Sequence, residues 1–179
     1  MKILVLFGST EGQTYKIAQC IADAIHQCGH EVEVVSAEIH ARIPSLGNYD
    51  GVIIGASVHK TKYPKYVVNF IKHKRGEIDR LPNAFFSVCM AAYDQSPAGR
   101  EETRQYTDSL VSETGWTPKQ IKSFAGAITY TQYNFLLRLV MKFIAKKKQL
   151  STDTSRDHDY TNWDDVRQYA KDFVAAYFK

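Results

Sequence analysis

The stretch that most constrains this chain lies at its amino-terminal end. An apolar run, Ile3-Leu4-Val5-Leu6-Phe7, reads as a buried parallel strand. It leads into Gly8-Ser9-Thr10-Glu11-Gly12-Gln13-Thr14, after which Ile17, Ala18, Ile21, Ala22 and Ile25 recur at helical spacing. A strand, a tight polar turn and a helix start together make an anion site. Free backbone N–H groups and the positive end of the helix dipole converge on whatever occupies the turn. Ser9, Thr10 and Thr14 add hydroxyl donors, and Gly12 lets the backbone approach a ligand closely.

What the turn lacks narrows the ligand. It has no Gly-Lys-Ser/Thr ending, so it is not a nucleoside-triphosphate loop. It has no Gly-x-Gly-x-x-Gly, so a dinucleotide pyrophosphate fits poorly. Glu11 further disfavours a metal-bound polyphosphate. A single phosphate monoester, held by hydroxyls and amides, fits best. The plain alternative is an N-capped helix with nothing bound.

The residues from Val5 to Ile21 resemble the flavodoxin signature: Val5, Leu6, Phe7, Ser9, Gly12, Thr14, Ala18 and Ile21 fill its positions. That resemblance implies that Ser9, Thr10, Glu11, Gly12, Gln13 and Thr14 hold the phosphate of flavin mononucleotide (FMN). The turn chemistry alone says only a small phosphate.

The remaining chain alternates strand and helix patterns. A helix over about 13–28, stopped by Gly29, precedes a strand from Glu31 to Ser36. Asp50 to Ser57 is an apolar strand buried on both faces. A helix from Pro64 to about Lys74, a strand from Asn83 to Met90, a helix from Gly99 to Glu113 and a strand from Ile121 to Ile128 follow. The last helix, Asn162 to Phe178, is expected to be capped by Asn162 or Thr161. Such alternation implies right-handed crossovers and a parallel sheet covered on both faces. The expected fold is one flavodoxin-like α/β domain over 1–179. It is a doubly wound five-stranded parallel sheet of order 2-1-3-4-5, with an insert at about 129–160. Ligands in such sheets sit at the carboxyl ends of the strands. The loops there are 8–14, 57–63 and 91–98.

Two of these loops are expected to flank a flavin ring. Ser57, Val58, His59 and Lys60 leave the third strand beside the phosphate turn, with Tyr63 as a stacking ring. Met90, Ala91, Ala92 and Tyr93 leave the fourth strand, small residues allowing close approach and Tyr93 offering a second aromatic. Polar loops and packing tyrosines are the ordinary alternative. His59, Lys60 and Lys62 form a basic rim that suits an anionic substrate or simply solvent. No Ser-His-Asp or Cys-His arrangement stands out, and no catalytic side chain is assigned. A flavoenzyme requires none, because the cofactor carries the electron chemistry.

At 179 residues the chain can bury a real core. Met1-Lys2 runs straight into the first strand, so no signal peptide is expected. No run reaches the roughly 20 apolar residues of a membrane span. Cys20, Cys28 and Cys89 lack metal-ligand spacing, so reduced thiols of a cytosolic protein and no metal site are expected.

The net charge is +4, and its location matters. Residues 129–150 hold Arg138, Lys142, Lys146, Lys147 and Lys148 and no acid, leaving 18 basic and 19 acidic residues elsewhere. Within 133–148, Leu136, Leu137, Leu139, Val140, Met141, Phe143 and Ile144 fill an apolar arc, opposite Arg138, Lys142 and Lys146. The arc spans roughly 200°, against about 100° for an ordinary core-facing stripe. Such a helix suits an anionic membrane surface. The alternative is a helix packed on the domain by its apolar side. Ser151 to Tyr160 reads as a polar loop.

With this insert in view, the chain resembles the menaquinone-dependent protoporphyrinogen IX dehydrogenases. The likeness covers nearly the full length. It includes the phosphate turn, Asn48-Tyr49-Asp50, Ile54-Gly55-Ala56-Ser57, Pro82 with Ala84-Phe85 and Ser87-Val88, Gly126-Ala127, the basic insert, Thr152-Asp153-Thr154, and Tyr160-Thr161 with Trp163. Two departures stand out: Gln149-Leu150-Ser151 replaces expected glycines, and His59-Lys60 replaces an Arg-Tyr type pair. The resemblance implies oxidation of protoporphyrinogen IX to protoporphyrin IX in three two-electron steps at FMN. Electrons would pass to a membrane quinone, menaquinone or ubiquinone, in haem biosynthesis. It also implies a peripheral protein at the cytoplasmic face of the bacterial inner membrane, held by 133–148. Nucleic acid is not an expected partner. Alternative readings are a flavodoxin-type electron carrier, against which the basic insert argues, an FMN-dependent quinone reductase, and a flavin-free membrane-tethered domain.

Overall fold

Strands buried on both faces must send alternate side chains to opposite sides. In β1 (Lys2–Gly8), Ile3 and Val5 enter one core and Leu4 and Leu6 the other. β3 (Gly51–Ser57) does the same with Ile53 against Val52 and Ile54, and β4 (Asn83–Val88) with Phe86 against Phe85. The computed structural model describes residues 1–39, 43–132, 134–147 and 151–178. With β2 (Glu31–Ser36) and β5 (Ile121–Phe124), these strands form a parallel five-stranded sheet of order β2-β1-β3-β4-β5.

Helices cover both faces. α1 (Gln13–Gln27) and α5 (Trp163–Tyr177) enclose the first core with Ile17, Ile21, Val166 and Phe173. α2 (Lys65–Ile78) and α3 (Pro97–Thr114) enclose the second with Val67, Phe70, Ile71 and Leu110, around the fully buried Trp116. Asn83, itself buried, fastens the amino end of β4. Its amide donates to the carbonyls of Ile78 and Leu81, and its Oδ1 accepts from Lys119 N–H.

The structure shifts several expected boundaries. β4 ends at Val88, because Met90–Tyr93 turns into a short 3₁₀ segment. The fifth strand therefore loses its neighbour and ends at Phe124, whose carbonyl accepts from Cys89 N–H. Beyond Ala125-Gly126, β6 (Ala127–Ile128) leaves the sheet and pairs antiparallel with β7 (His158–Asp159). The stretch 151–160 is thus not merely a loop. α3 begins earlier than expected, since Ser96 caps it and Pro97 opens its first turn. Asn162, not Thr161, caps α5, accepting from the N–H groups of Asp164 and Asp165. α4 (Phe135–Lys147) forms within the basic insert. Tyr133, Lys148, Gln149 and Leu150 lie outside the described residues.

Candidate functional site

The carboxyl ends of β1, β3 and β4 lie side by side, with Gly8 opposite Ala56 and Ser57 opposite Val88. α2 presses against this point so closely that a side chain at Gly8 would collide with Val67. The turn 8–14 keeps its shape through Ser9, whose Oγ accepts from Gly12 N–H at 2.9 Å. Gly12 has φ +86, a left-handed conformation that favours glycine, and stands at the N-cap of α1. No side chain caps that helix and no acid lies in its first turn. Its leading N–H groups therefore open into the turn. Beside them, Thr14 Oγ1 is buried with no hydrogen-bond partner among the described residues, and so is Ser57 Oγ at the end of β3. Two partnerless buried hydroxyls beside an uncapped helix start fit an oxygen-rich ligand such as a phosphate monoester. Thr10 lies exposed on the rim.

Glu11 and Gln13 turn their side chains away from the turn. Gln13, 7% exposed, donates from Nε2 to Asp159 Oδ1 at 2.9 Å and to Thr161 Oγ1 at 2.8 Å. Thr161 Oγ1 in turn donates to the Ala125 carbonyl, and Thr161 N–H donates to Asp159 Oδ1. Glu11 Oε2 accepts from Thr129 Oγ1 at 3.3 Å. The β6–β7 ribbon thus braces the turn 8–14 from outside the sheet. Tyr160-Thr161 carries the family likeness in the sequence, but the bracing leaves no sequence signal, because two-residue strands show no alternation.

The second loop is a two-residue hairpin. His59 and Lys62 exchange backbone hydrogen bonds of 2.8 and 3.1 Å. Lys60 and Thr61 at its tip both have positive φ, 47 and 67. Glycine or asparagine is the usual choice there, and a β-branched residue at positive φ is strained by about 1–3 kcal/mol. The loop therefore holds a costly conformation beside the candidate site, with His59, Lys60 and Lys62 exposed. Val58 N–H donates to the Val88 carbonyl, tying this loop to the next.

Tyr63 departs from expectation. The structure buries it to 9% exposure, with its hydroxyl donating to Ser87 Oγ at 2.9 Å and its ring edge-on to Phe85. Burial pushes the hydroxyl well above its ordinary pKa. This ring packs in the core below the loop instead of lying in the loop wall.

In the third loop Ala91 is buried, Met90 and Ala92 are half-buried, and Tyr93 is 47% exposed. The Tyr93 ring meets Tyr160 at 5.0 Å, and Tyr160 lies near-parallel to His158. His158 meets Tyr130 edge-on. An aromatic wall thus joins the third loop to the ribbon. His158 Nε2 sits 2.8 Å from the Asp153 carbonyl, so that nitrogen carries the proton it donates.

α4 is anchored by Ala145, buried with Ile128 and Tyr130, and by Arg138 Nε donating to the Tyr130 carbonyl. Phe135, Leu139 and Phe143 recur every four residues and are 77%, 49% and 72% exposed. Lys142 and Lys146 are exposed on the same helix. Among the described residues, no helix is long and apolar enough to cross a membrane, and no group of side chains could hold a metal.

Comparison with known proteins gives consistent results. A flavodoxin-domain family model matches residues 4–155. The chain is 33% identical over 177 residues to a protoporphyrinogen IX dehydrogenase [quinone] of Escherichia coli, covering 97% of this chain and 95% of that one. A protein of the same name from Leishmania major is 32% identical over 179 residues, covering 97% and 75%. Among solved structures, oxidised flavodoxin 1 from Bacillus cereus aligns with a TM-score of 0.57 at 19% identity, covering 98% of both chains. That last likeness concerns the fold alone.

Proposed function

The chain belongs to the protoporphyrinogen IX dehydrogenases [quinone], oxidoreductases built on the flavodoxin domain, and on that premise we propose that it oxidises protoporphyrinogen IX using FMN and a membrane quinone. The observation that carries the cofactor assignment is the buried, partnerless hydroxyl of Thr14 over the uncapped start of α1. A phosphate there would accept from Thr14, from Ser57 and from the leading N–H groups of the helix. Bound there, FMN supplies two-electron acceptance from the reduced substrate and delivery to the quinone.

The chain's own residues position and shield. The backbones of 57–60 and 90–93 would flank the flavin ring. The ribbon, through Gln13, Asp159 and Thr161, holds the phosphate turn against the sheet. The Tyr93–Tyr160 pair offers an apolar aromatic surface to a disc-shaped substrate.

Membrane contact is part of the proposal. Phe135, Leu139 and Phe143 present one exposed apolar stripe with Lys142 and Lys146 on the same helix. Burying such a side chain is worth about 1.5–3 kcal/mol, and anionic headgroups would meet the lysines. A peripheral position at the cytoplasmic face of the inner membrane would place the site beside a lipid-soluble quinone. The cofactor test is a titration of the flavin-free protein with FMN. Saturable quenching of flavin fluorescence at one FMN per chain is expected, and an absence of binding would remove the reading.

A further inference from the structure

The short turn Met90–Tyr93 has two sides. Tyr93 joins the aromatic wall of the candidate site. Ala92 and the adjacent Asp94 instead line a groove of about 420 Å³ between α3 and the edge strand β5. Arg100 and Arg104 enter this groove from α3, and Lys122 enters it from β5. The three cations differ in one respect. Arg104 is held by Glu101 and Asp108 at 2.8 Å each. Arg100 and Lys122 have no side-chain hydrogen bond or ion pair among the described residues. The Asp94 carboxylate is engaged by Ser96 N–H at 2.8 Å.

Arg100 and Lys122 line this groove with one carboxylate, Asp94, so the groove keeps an excess of positive charge that suits an anionic group. They are not part of a general positive field, since residues outside 129–150 carry 18 basic and 19 acidic groups. Ile121, 41% exposed, adds apolar surface to the same groove. We infer that Arg100 and Lys122 form a carboxylate-binding subsite for the acidic arms of an apolar, disc-shaped substrate whose reactive body lies across the Met90–Tyr93 turn. This rests on the proposed porphyrinogen chemistry: a broad apolar ring bearing two propionates matches two cations beside an aromatic wall.

The test uses the FMN-loaded protein with protoporphyrinogen IX and with its dimethyl ester, which keeps the ring and removes both charges. The wild type should show the lower KM for the diacid. In Arg100→Ala and Lys122→Ala variants the diacid KM should rise by about tenfold for each cation removed, collapsing the preference over the diester. An unchanged preference, or equal weakening of both substrates, overturns the subsite. Binding of protoporphyrin IX, followed by its fluorescence, separates this inference from the enzyme reading. If the wild type turns over neither porphyrinogen, the enzyme reading fails. The subsite then stands if the wild type binds the dicarboxylate about tenfold more tightly than the variants, and falls if they bind alike.

Discussion

Gln13 and Asp159 lie 146 residues apart in the chain and are joined by a 2.9 Å hydrogen bond, in which the Gln13 amide donates to the carboxylate. The same amide reaches Thr161. Through this junction the ribbon that closes the fold holds the turn that opens it. Any loss at either end should reach the ligand site, although neither side chain points into the turn.

A double-mutant cycle measures that junction. Gln13→Ala should destabilise the protein by about 1–3 kcal/mol, because Asp159 and Thr161 lose a buried donor. Asp159→Ala should cost less once Gln13 is already gone, with a coupling energy of about 1 kcal/mol in denaturant unfolding. Simple additivity would mean that the two ends are independent.

Thr14→Val separates ligand binding from folding. The Thr14 hydroxyl has no hydrogen-bond partner among the described residues, so its removal breaks no hydrogen bond seen there. The flavin-free variant should unfold at the wild-type midpoint or above it, while FMN affinity falls about tenfold. Wild-type affinity in this variant would contradict the phosphate assignment.

Much of this arrangement was legible in the sequence. The apolar runs with helical patterns between them announced five strands, and the flavodoxin-like turn at the amino-terminal end suggested the order that the sheet shows. Gly12 marked a place of close backbone approach, and the structure adds that its φ of +86 is one that glycine tolerates well. The bracing was illegible because His158-Asp159 is polar and only two residues long, and its partner Ala127-Ile128 reads as the end of a longer strand. Tyr63 misled because it follows the polar stretch His59–Lys62. Its burial depends on Ser87, 24 residues away, whose Oγ accepts from its hydroxyl.

The acid limb of stability should depend on Glu33. The Tyr49 hydroxyl, 2.6 Å away, and then Lys2 hold this carboxyl below its ordinary pKa of 4.5. A carboxyl lowered in the folded state adds stability that is present above the unfolded pKa and is lost as pH falls through the folded value. Glu33→Gln should therefore flatten the decline of unfolding free energy below about pH 4.5, where carboxylates titrate in the unfolded chain. An unchanged acid slope would count against this pairing.

The exposed stripe of α4 makes a separable prediction. Replacing Phe135 and Phe143 by serine should release the protein from vesicles containing anionic lipid by at least about tenfold, since two aromatic burials are lost. FMN binding should be retained, because neither residue belongs to the loops proposed to hold the flavin. Added salt should weaken the wild type's attachment through Lys142 and Lys146. Cosedimentation measures both effects, and equal sedimentation of variant and wild type would exclude the stripe as the contact.

The most direct measurement is anaerobic turnover. FMN-loaded protein is mixed with protoporphyrinogen IX, and porphyrin fluorescence is followed with and without a soluble menaquinone analogue. Multiple turnovers are expected only when the quinone is present. A flavin that other donors reduce, in a protein that forms no porphyrin with quinone present, would contradict this expectation and favour an electron carrier or quinone reductase.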